Sequence, residues 1–132
     1  MSTENNLQNL YENSIKILTD LIAFKTISGE NNSPLIDYCD KILNSLGAES
    51  FRTYDYEKKR VNLFSTLKAK NKNGKKPIIL SGHTDVVPVS KGWSSDPFLA
   101  TIRDDKLYGR AVSYTHLRAH ETPEHRVCRL VR

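Results

Sequence analysis

The feature that most constrains this chain is an aliphatic run that ends in a polar turn. Pro77-Ile78-Ile79-Leu80 is followed directly by Ser81-Gly82-His83-Thr84-Asp85. An unbroken apolar run of this kind is typical of a central strand buried on both faces of its sheet. In open α/β sheets, the functional site lies at the carboxyl ends of such strands. The run therefore predicts an α/β fold with a candidate site at His83.

His83 and Asp85 have a spacing that suits a metal site. Side chains two residues apart in an extended chain point to the same face. An imidazole with a nearby carboxylate is the basic unit of many metal sites, because one ring nitrogen ligates while the carboxylate fixes the tautomer. Spacing alone leaves an ordinary polar loop as the alternative. We therefore take His83 as the candidate metal ligand and Asp85 as its candidate partner.

Two helices are expected before the strands. Apolar residues recur at three- and four-residue steps over residues 5–25, which predicts an amphipathic helix. Ser33 followed by Pro34 predicts the start of a second helix, with the serine as cap and the proline in the first turn. Gly47 is expected to end it. Strands are expected at residues 49–54, 61–67 and 78–80, with a hairpin formed by 99–103 and 106–108 around Asp104-Asp105.

Length and composition indicate at most one domain with a thin or incomplete core. The chain has 132 residues, of which 38% are hydrophobic and 27% charged. It has no apolar run long enough to span a membrane, and residues 1–6 lack the layout of a secretion signal. We therefore expect a cytoplasmic protein with no membrane partner. Its two cysteines, Cys39 and Cys128, provide no disulfide framework.

The formal net charge of +5 raises a second hypothesis, a basic binding module. Lysines concentrate in residues 68–76, and such a run can contact nucleic acid or an anionic surface. The alternative is a solvated hairpin loop. No aromatic residues are interleaved with these lysines, so we favour the loop and expect no nucleic-acid partner.

Three blocks of the sequence resemble one family of enzymes. They are Leu80 to Pro88, Trp93-Ser94-Ser95-Asp96-Pro97-Phe98 and Asp105-Lys106-Leu107-Tyr108-Gly109-Arg110. In this order they are similar to the zinc-dependent amidohydrolases that include aminoacylases, acetylornithine deacetylase and succinyl-diaminopimelate desuccinylase. The resemblance implies that residues 1–110 are the N-terminal portion of a zinc-exopeptidase-like catalytic domain, with helices packed on a mixed sheet.

The resemblance also implies a two-metal site that hydrolyses a linear amide. His83 would ligate one of two zinc ions, with cobalt as another fitting metal, and Asp85 would hydrogen-bond the ligating imidazole. The substrate would be an N-acylated amino acid, and the full-length enzyme would be a homodimer. Trp93, Asp96 and Phe98 would be structural.

Residues 21–30 and 61–67 are most similar to acetylornithine deacetylases. This resemblance implies removal of the acetyl group from N-acetylornithine, a step of arginine biosynthesis. Succinyl-diaminopimelate desuccinylase is the alternative, because it shares the segment around His83 and Asp85.

The family pattern stops after Arg110. Family members continue with Gly-x-x-Asp-Met-Lys-Gly, whose aspartate bridges the two metals, whereas this chain places Tyr114 at the bridging position. The other acidic ligands, the general base and a final histidine also do not follow. The comparison implies a fragment of an enzyme that is inactive by itself.

Residues 111–132 are expected to be a non-native tail. Ala111 to Thr122 resembles the translation of a sequencing-library adapter, which would explain the sudden end of the family pattern. A third hypothesis is a small zinc site in this tail, built from His116, His120, His125 and Cys128.

Overall fold

The computed structural model describes residues 3–71, 74, 76–110 and 127–129. It contains two helices, α1 (Thr3–Ala23) and α2 (Ser33–Ser45), and five strands. The strands are β1 (Glu49–Tyr54), β2 (Val61–Thr66), β3 (Thr101–Arg103), β4 (Lys106–Tyr108) and β5 (Val127–Arg129). Two units are distinguished. The α2 unit comprises Thr26–Asp85, and the α1 unit comprises the described residues up to Lys25 and from Val86 onward.

Helix α2 has nearly the predicted bounds. Pro34 lies in its first turn, and Gly47 follows its end with a φ of +85°, a conformation that glycine adopts without strain. The predicted cap is wrong, because Ser33 is already helical and Asn32 precedes the first turn. The side chain of Asn32 makes no capping bond, since it bonds the backbone of Val61 instead.

The core of the α2 unit lies between α2 and a hairpin. Strands β1 and β2 pair antiparallel, from Glu49 opposite Thr66 to Tyr54 opposite Val61, and α2 packs on both. Leu35 and Ile36 of α2 are buried, as is Val61 of β2. Along β2, buried or half-buried positions alternate with exposed ones. A strand with one covered face requires this alternation.

The α1 unit contains the second sheet, in which β4 pairs antiparallel with β3 and β5. Asp104 and Asp105 turn β3 into β4 with φ angles of 50° and 56°. Two consecutive positive φ angles are those of a type I′ turn, whose twist matches that of the strands it joins. Leu107 of β4 is 2% exposed. The predicted hairpin is therefore confirmed, with its first strand beginning at Thr101 rather than at 99.

The predicted central strand is not formed. Residues 76–80 adopt no regular structure, and Ile78, Ile79 and Leu80 are 80–91% exposed. The two sheets of the described residues are antiparallel rather than one mixed sheet. The β1–β2 and β3–β4 pairs are hairpins between neighbours in sequence, whereas a central strand needs partners on both sides. Among the described residues, none pairs with 78–80.

Several predictions lie outside the described residues. The bridging position at Tyr114 belongs to this group, as do His116, His120 and His125. Cys128 lies in β5, and only the backbone of that strand is described.

Candidate functional site

His83 and Asp85 form a hydrogen-bonded pair. The His83 Nδ1 atom lies 2.8 Å from Asp85 Oδ1, and the two side chains are 53% and 57% exposed. When Nδ1 carries the proton and donates it to the carboxylate, the lone pair that can ligate a metal is on Nε2. The two residues that the sequence singled out are thus together, in the arrangement expected of a metal-binding histidine and its carboxylate.

A loop between the two helices holds this pair in place. Thr26 Oγ1 donates to the carbonyl of Thr84 at 2.5 Å, and Asn32 Nδ2 lies 3.2 Å from Thr84 Oγ1. Ser28 Oγ donates to Asp85 Oδ2 at 2.6 Å. We call Thr26, Ser28 and Asn32 the polar clamp, because each reaches the Thr84–Asp85 segment by its side chain.

Asn32 has a second role in the clamp. Its Nδ2 donates to the Val61 carbonyl at 3.0 Å, and its Oδ1 accepts the Val61 N–H at 2.8 Å. This reciprocal pair satisfies the backbone of a residue that is only 3% exposed, where an unmet polar group is costly. Asn32 therefore joins the clamp to the start of β2.

No pattern in the sequence marks the clamp residues as functional. Residues 24–32 lie around the boundary between the two predicted helices, and their richness in Ser, Thr, Asn and Gly is what any loop shows. The partners of the clamp lie 52–58 residues away for Thr84 and Asp85. A local sequence pattern cannot predict contacts between residues so far apart in the chain.

The electrostatics of the pair favour an ionised carboxylate. The Ser28 hydroxyl, followed by the His83 imidazole, holds the pKa of Asp85 below its usual range. Both groups donate to the charged form, which stabilises it. At neutral pH Asp85 is therefore an acceptor, as a partner of Nδ1–H must be.

A cavity of about 330 Å³ opens beside Asp85. Its lining includes Ser28, Thr84 and Asp85, together with the charged residues Glu30 and Arg60. The Nε of Arg60 also donates to Asp55 Oδ2 at 2.8 Å. This volume is at the lower end of small-molecule sites, and the lining is polar enough to receive a small charged ligand.

The three sequence blocks contain a further set of contacts, all within the α1 unit. The backbone N–H of Arg110 donates to the Pro97 carbonyl, and its guanidinium donates to the Val87 carbonyl. The same guanidinium lies 5.9 Å from the centre of the Trp93 ring. Arg110 is 5% exposed, so it is a buried link between the segment that follows Asp85 and the Trp93 loop.

The described residues fit one coordination position of a zinc ion, not a complete site. An imidazole with its other nitrogen bonded to a carboxylate is a zinc ligand of the usual kind. Within the described ranges, however, no group of three or more His, Cys, Asp or Glu side chains could hold a metal ion. His83 is also the one histidine among those residues.

Two other expectations concern the surface. No helix in the described part of the chain is long and apolar enough to cross a membrane. Of the lysine-rich segment, Lys68 forms an ion pair with Glu49 at 2.5 Å, while Lys72 and Lys75 lie outside the described residues. The basic-module hypothesis remains an untested prediction.

Comparison with curated proteins finds relatives named succinyl-diaminopimelate desuccinylase and acetylornithine deacetylase. A succinyl-diaminopimelate desuccinylase of Orientia tsutsugamushi is 35% identical over 100 residues, which cover 74% of this chain and 25% of that protein. One of Ehrlichia canis is 36% identical over 102 residues, with 74% and 26% covered. An acetylornithine deacetylase of Myxococcus xanthus is 35% identical over 101 residues, with 74% and 26% covered.

The chain spans about a quarter of the length of these relatives. No family model matches it. The relatives agree with the resemblance that the three sequence blocks indicated, and they include both of the enzymes considered there. Over the hundred or so matched residues, the chain belongs to the family of succinyl-diaminopimelate desuccinylases and acetylornithine deacetylases.

Proposed function

We propose that this chain is part of a metal-dependent amidohydrolase that cleaves a linear amide of an N-acylated amino acid. The observation that carries the proposal is the bond between His83 Nδ1 and Asp85 Oδ1 in a chain with these relatives. We further propose that residues 1–110 belong to a zinc-exopeptidase-like catalytic domain and that residues 111–132 are not part of it.

The proposed roles follow from the chemistry of the pair. His83 would hold a zinc ion through Nε2, and Asp85 would keep the imidazole in the tautomer that leaves Nε2 unprotonated. A zinc ion bound in such a site lowers the pKa of a bound water and polarises a carbonyl. The cavity beside Asp85, with Glu30 and Arg60 in its lining, is where we place part of a charged substrate.

The substrate is one of two candidates. The resemblance of residues 21–30 and 61–67 favours N-acetylornithine, but the relatives include desuccinylases as well as a deacetylase. N-succinyl-diaminopimelate therefore fits equally well, and the two differ in the charge of the acyl group that is removed.

The test begins at the gene. The locus beyond the Arg110 codon is sequenced independently, and we expect it to continue as Gly-x-x-Asp-Met-Lys-Gly. The protein encoded by that locus is then assayed with zinc on both substrates separately. We expect hydrolysis of one of them, and its loss in the variant His83→Ala.

A matched control is Ser65→Ala, which removes a serine hydroxyl from β2 (bonded to Ser50 at 2.8 Å) and leaves the pair intact. Hydrolysis that is unchanged in His83→Ala would exclude the proposed ligand. An absence of hydrolysis on both substrates, with the metal bound, would exclude the proposed reaction.

A further inference from the structure

We infer that Ser28 is a positioning residue that sets the tautomer of His83 by fixing the Asp85 carboxylate. This inference rests on the proposed function, because it assigns to Ser28 a role in preparing the candidate metal ligand. The Ser28 hydroxyl donates to Asp85 Oδ2, and Asp85 Oδ1 lies against His83 Nδ1. The effect of Ser28 is transmitted through the two oxygens of one carboxylate.

The geometry gives each carboxylate oxygen its own partner. Asp85 Oδ2 accepts the Ser28 hydroxyl at 2.6 Å, and Oδ1 lies 2.8 Å from His83 Nδ1. A carboxylate has a broad terminal torsion, so an exposed aspartate held by one hydrogen bond rotates readily. Two bonds, one on each oxygen, fix that torsion and keep Oδ1 directed at Nδ1.

The exposure of the pair makes this restraint important. Both side chains are more than half exposed, so water competes for Oδ1 and for Nδ1–H. A solvent-exposed bond of this kind is weak by itself, and anything that holds the acceptor in position raises the fraction of time that the bond is made. The Ser28 hydroxyl provides that restraint from residue 28, on the loop between the helices.

The rest of the clamp supports this role. Thr26 fixes the backbone of Thr84, and Asn32 fixes its hydroxyl, so the residue between His83 and Asp85 is held independently of Ser28. Removal of the Ser28 hydroxyl should therefore release the carboxylate torsion without releasing the backbone. Thr26 and Asn32 keep the segment in place, and the effect of Ser28 can be measured separately.

The experiment measures the His83 tautomer in the full 132-residue chain. Long-range ¹H–¹⁵N correlation spectra are recorded at a mildly alkaline pH, at which histidine side chains are commonly neutral. The His83 signals are assigned by their absence in His83→Gln. The variants are Ser28→Ala, Ser28→Thr, Asp85→Ala and the control Ser65→Ala, and amide spectra confirm that each is folded.

We expect Ser28→Ala to lower the ratio of the Nδ1–H to the Nε2–H tautomer roughly two- to tenfold, which corresponds to the loss of one ordinary hydrogen bond. Asp85→Ala should lower it at least as far. Ser28→Thr retains a hydroxyl on the same carbon and should restore the wild-type ratio, and Ser65→Ala should not change it.

The outcomes separate the two proposals. If Asp85→Ala lowers the ratio but Ser28→Ala does not, the role of Ser28 is wrong and the His83–Asp85 pair stands. If Asp85→Ala has no effect either, the pair itself is not formed in solution, and the proposed function loses the observation that carries it. If the threonine variant fails to restore the ratio, the hydroxyl is not what positions the carboxylate.

Discussion

At the scale of single residues, Gly109 shows how closely the α1 unit is packed. A Cβ at this position would lie 2.8 Å from Ile22 Cγ2, and Ile22 is itself 3% exposed. The φ angle of Gly109 is not positive, so its role is to allow close approach rather than an unusual backbone. It lies between Leu107, the most deeply buried side chain of its strand, and the buried Arg110.

We expect Gly109→Ala to lower the free energy of unfolding by about 1–3 kcal/mol, the usual cost of overpacking. The measurement is urea unfolding followed by fluorescence of Trp93, the chain's one tryptophan, which lies in the same unit. The control is Gly82→Ala, since a Cβ there meets nothing within 4 Å. Equal effects of the two substitutions would show that the contact with Ile22 is not made.

At the scale of elements, Arg52 of β1 connects the hairpin to α2. Its guanidinium donates to Asp40 Oδ2 at 2.5 Å and to Asp37 Oδ1 at 2.6 Å. The Ser50 hydroxyl, followed by Arg52, holds the pKa of Asp40 below its ordinary value of 3.8. A lowered pKa in the folded state means that the carboxylate stabilises the fold above that ordinary value.

This stabilisation should be lost as the pH falls below about 4. We expect the urea midpoint of the wild type, followed by circular dichroism, to fall between pH 7 and roughly pH 3. In Asp40→Asn the midpoint should be lower at pH 7 and should fall less on acidification. The control is Glu12→Gln, whose side chain is in an exposed pair with Gln8, and its urea midpoint should change with pH as in the wild type. If the midpoint of Asp40→Asn also changes with pH as in the wild type, the Asp40 carboxylate does not provide this stabilisation.

The β3–β4 hairpin allows a prediction from its turn. Asp105 has a φ of 56°. At such a positive φ a β-branched residue is more strained than aspartate, whereas glycine is not strained. We expect Asp105→Val to lower the free energy of unfolding by about 1–2 kcal/mol. Asp105→Gly should leave it unchanged or higher. The Trp93 fluorescence assay compares the two, and a valine variant as stable as the glycine variant would contradict the turn type.

The elements that the sequence predicted correctly are those fixed by neighbours in the chain. Helix α2 is bounded by Pro34 and Gly47, and the type I′ turn is encoded by two adjacent aspartates. The segment Ile78-Ile79-Leu80 was predicted to be a central strand and is not one, because such a strand depends on partners that an apolar pattern does not specify.

The candidate pair was predicted for the same reason that α2 was, since His83 and Asp85 are two residues apart. Ser28 and Asn32 were missed because their partners are remote.

At the scale of the whole molecule, the exposed apolar residues should govern behaviour in solution. Ile78, Ile79 and Leu80 form a continuous run that is almost fully exposed, and Phe51 and Phe64 are 64% and 65% exposed as cross-strand partners. A contiguous apolar segment without a covering layer favours association. We expect the chain to associate as its concentration rises.

Replacing Ile79 with lysine should raise the concentration at which association begins, as measured by light scattering. Tyr56→Lys is the control, because Tyr56 is fully exposed and is not part of this run. If both variants associate like the wild type, residues 78–80 are not the surface involved.

We also expect the 132-residue chain to hydrolyse neither candidate substrate in the presence of zinc. The resemblance to the family implies a bridging aspartate at the position where this chain has Tyr114, and within the described residues no group of three or more potential ligands could hold a metal ion. The assay is the one proposed for the complete protein, run at equal concentration. Turnover that is abolished by His83→Ala would contradict this expectation.

The polar clamp has a consequence for the order in which such a site is made. Every residue that it joins lies between Thr26 and Asp85, within one unit, and chains are synthesised from the N-terminus. Once Asp85 has left the ribosome, every residue of the clamp and of the His83–Asp85 pair has been synthesised. If His83 is the proposed ligand, any later ligand would join an imidazole that already has its carboxylate partner.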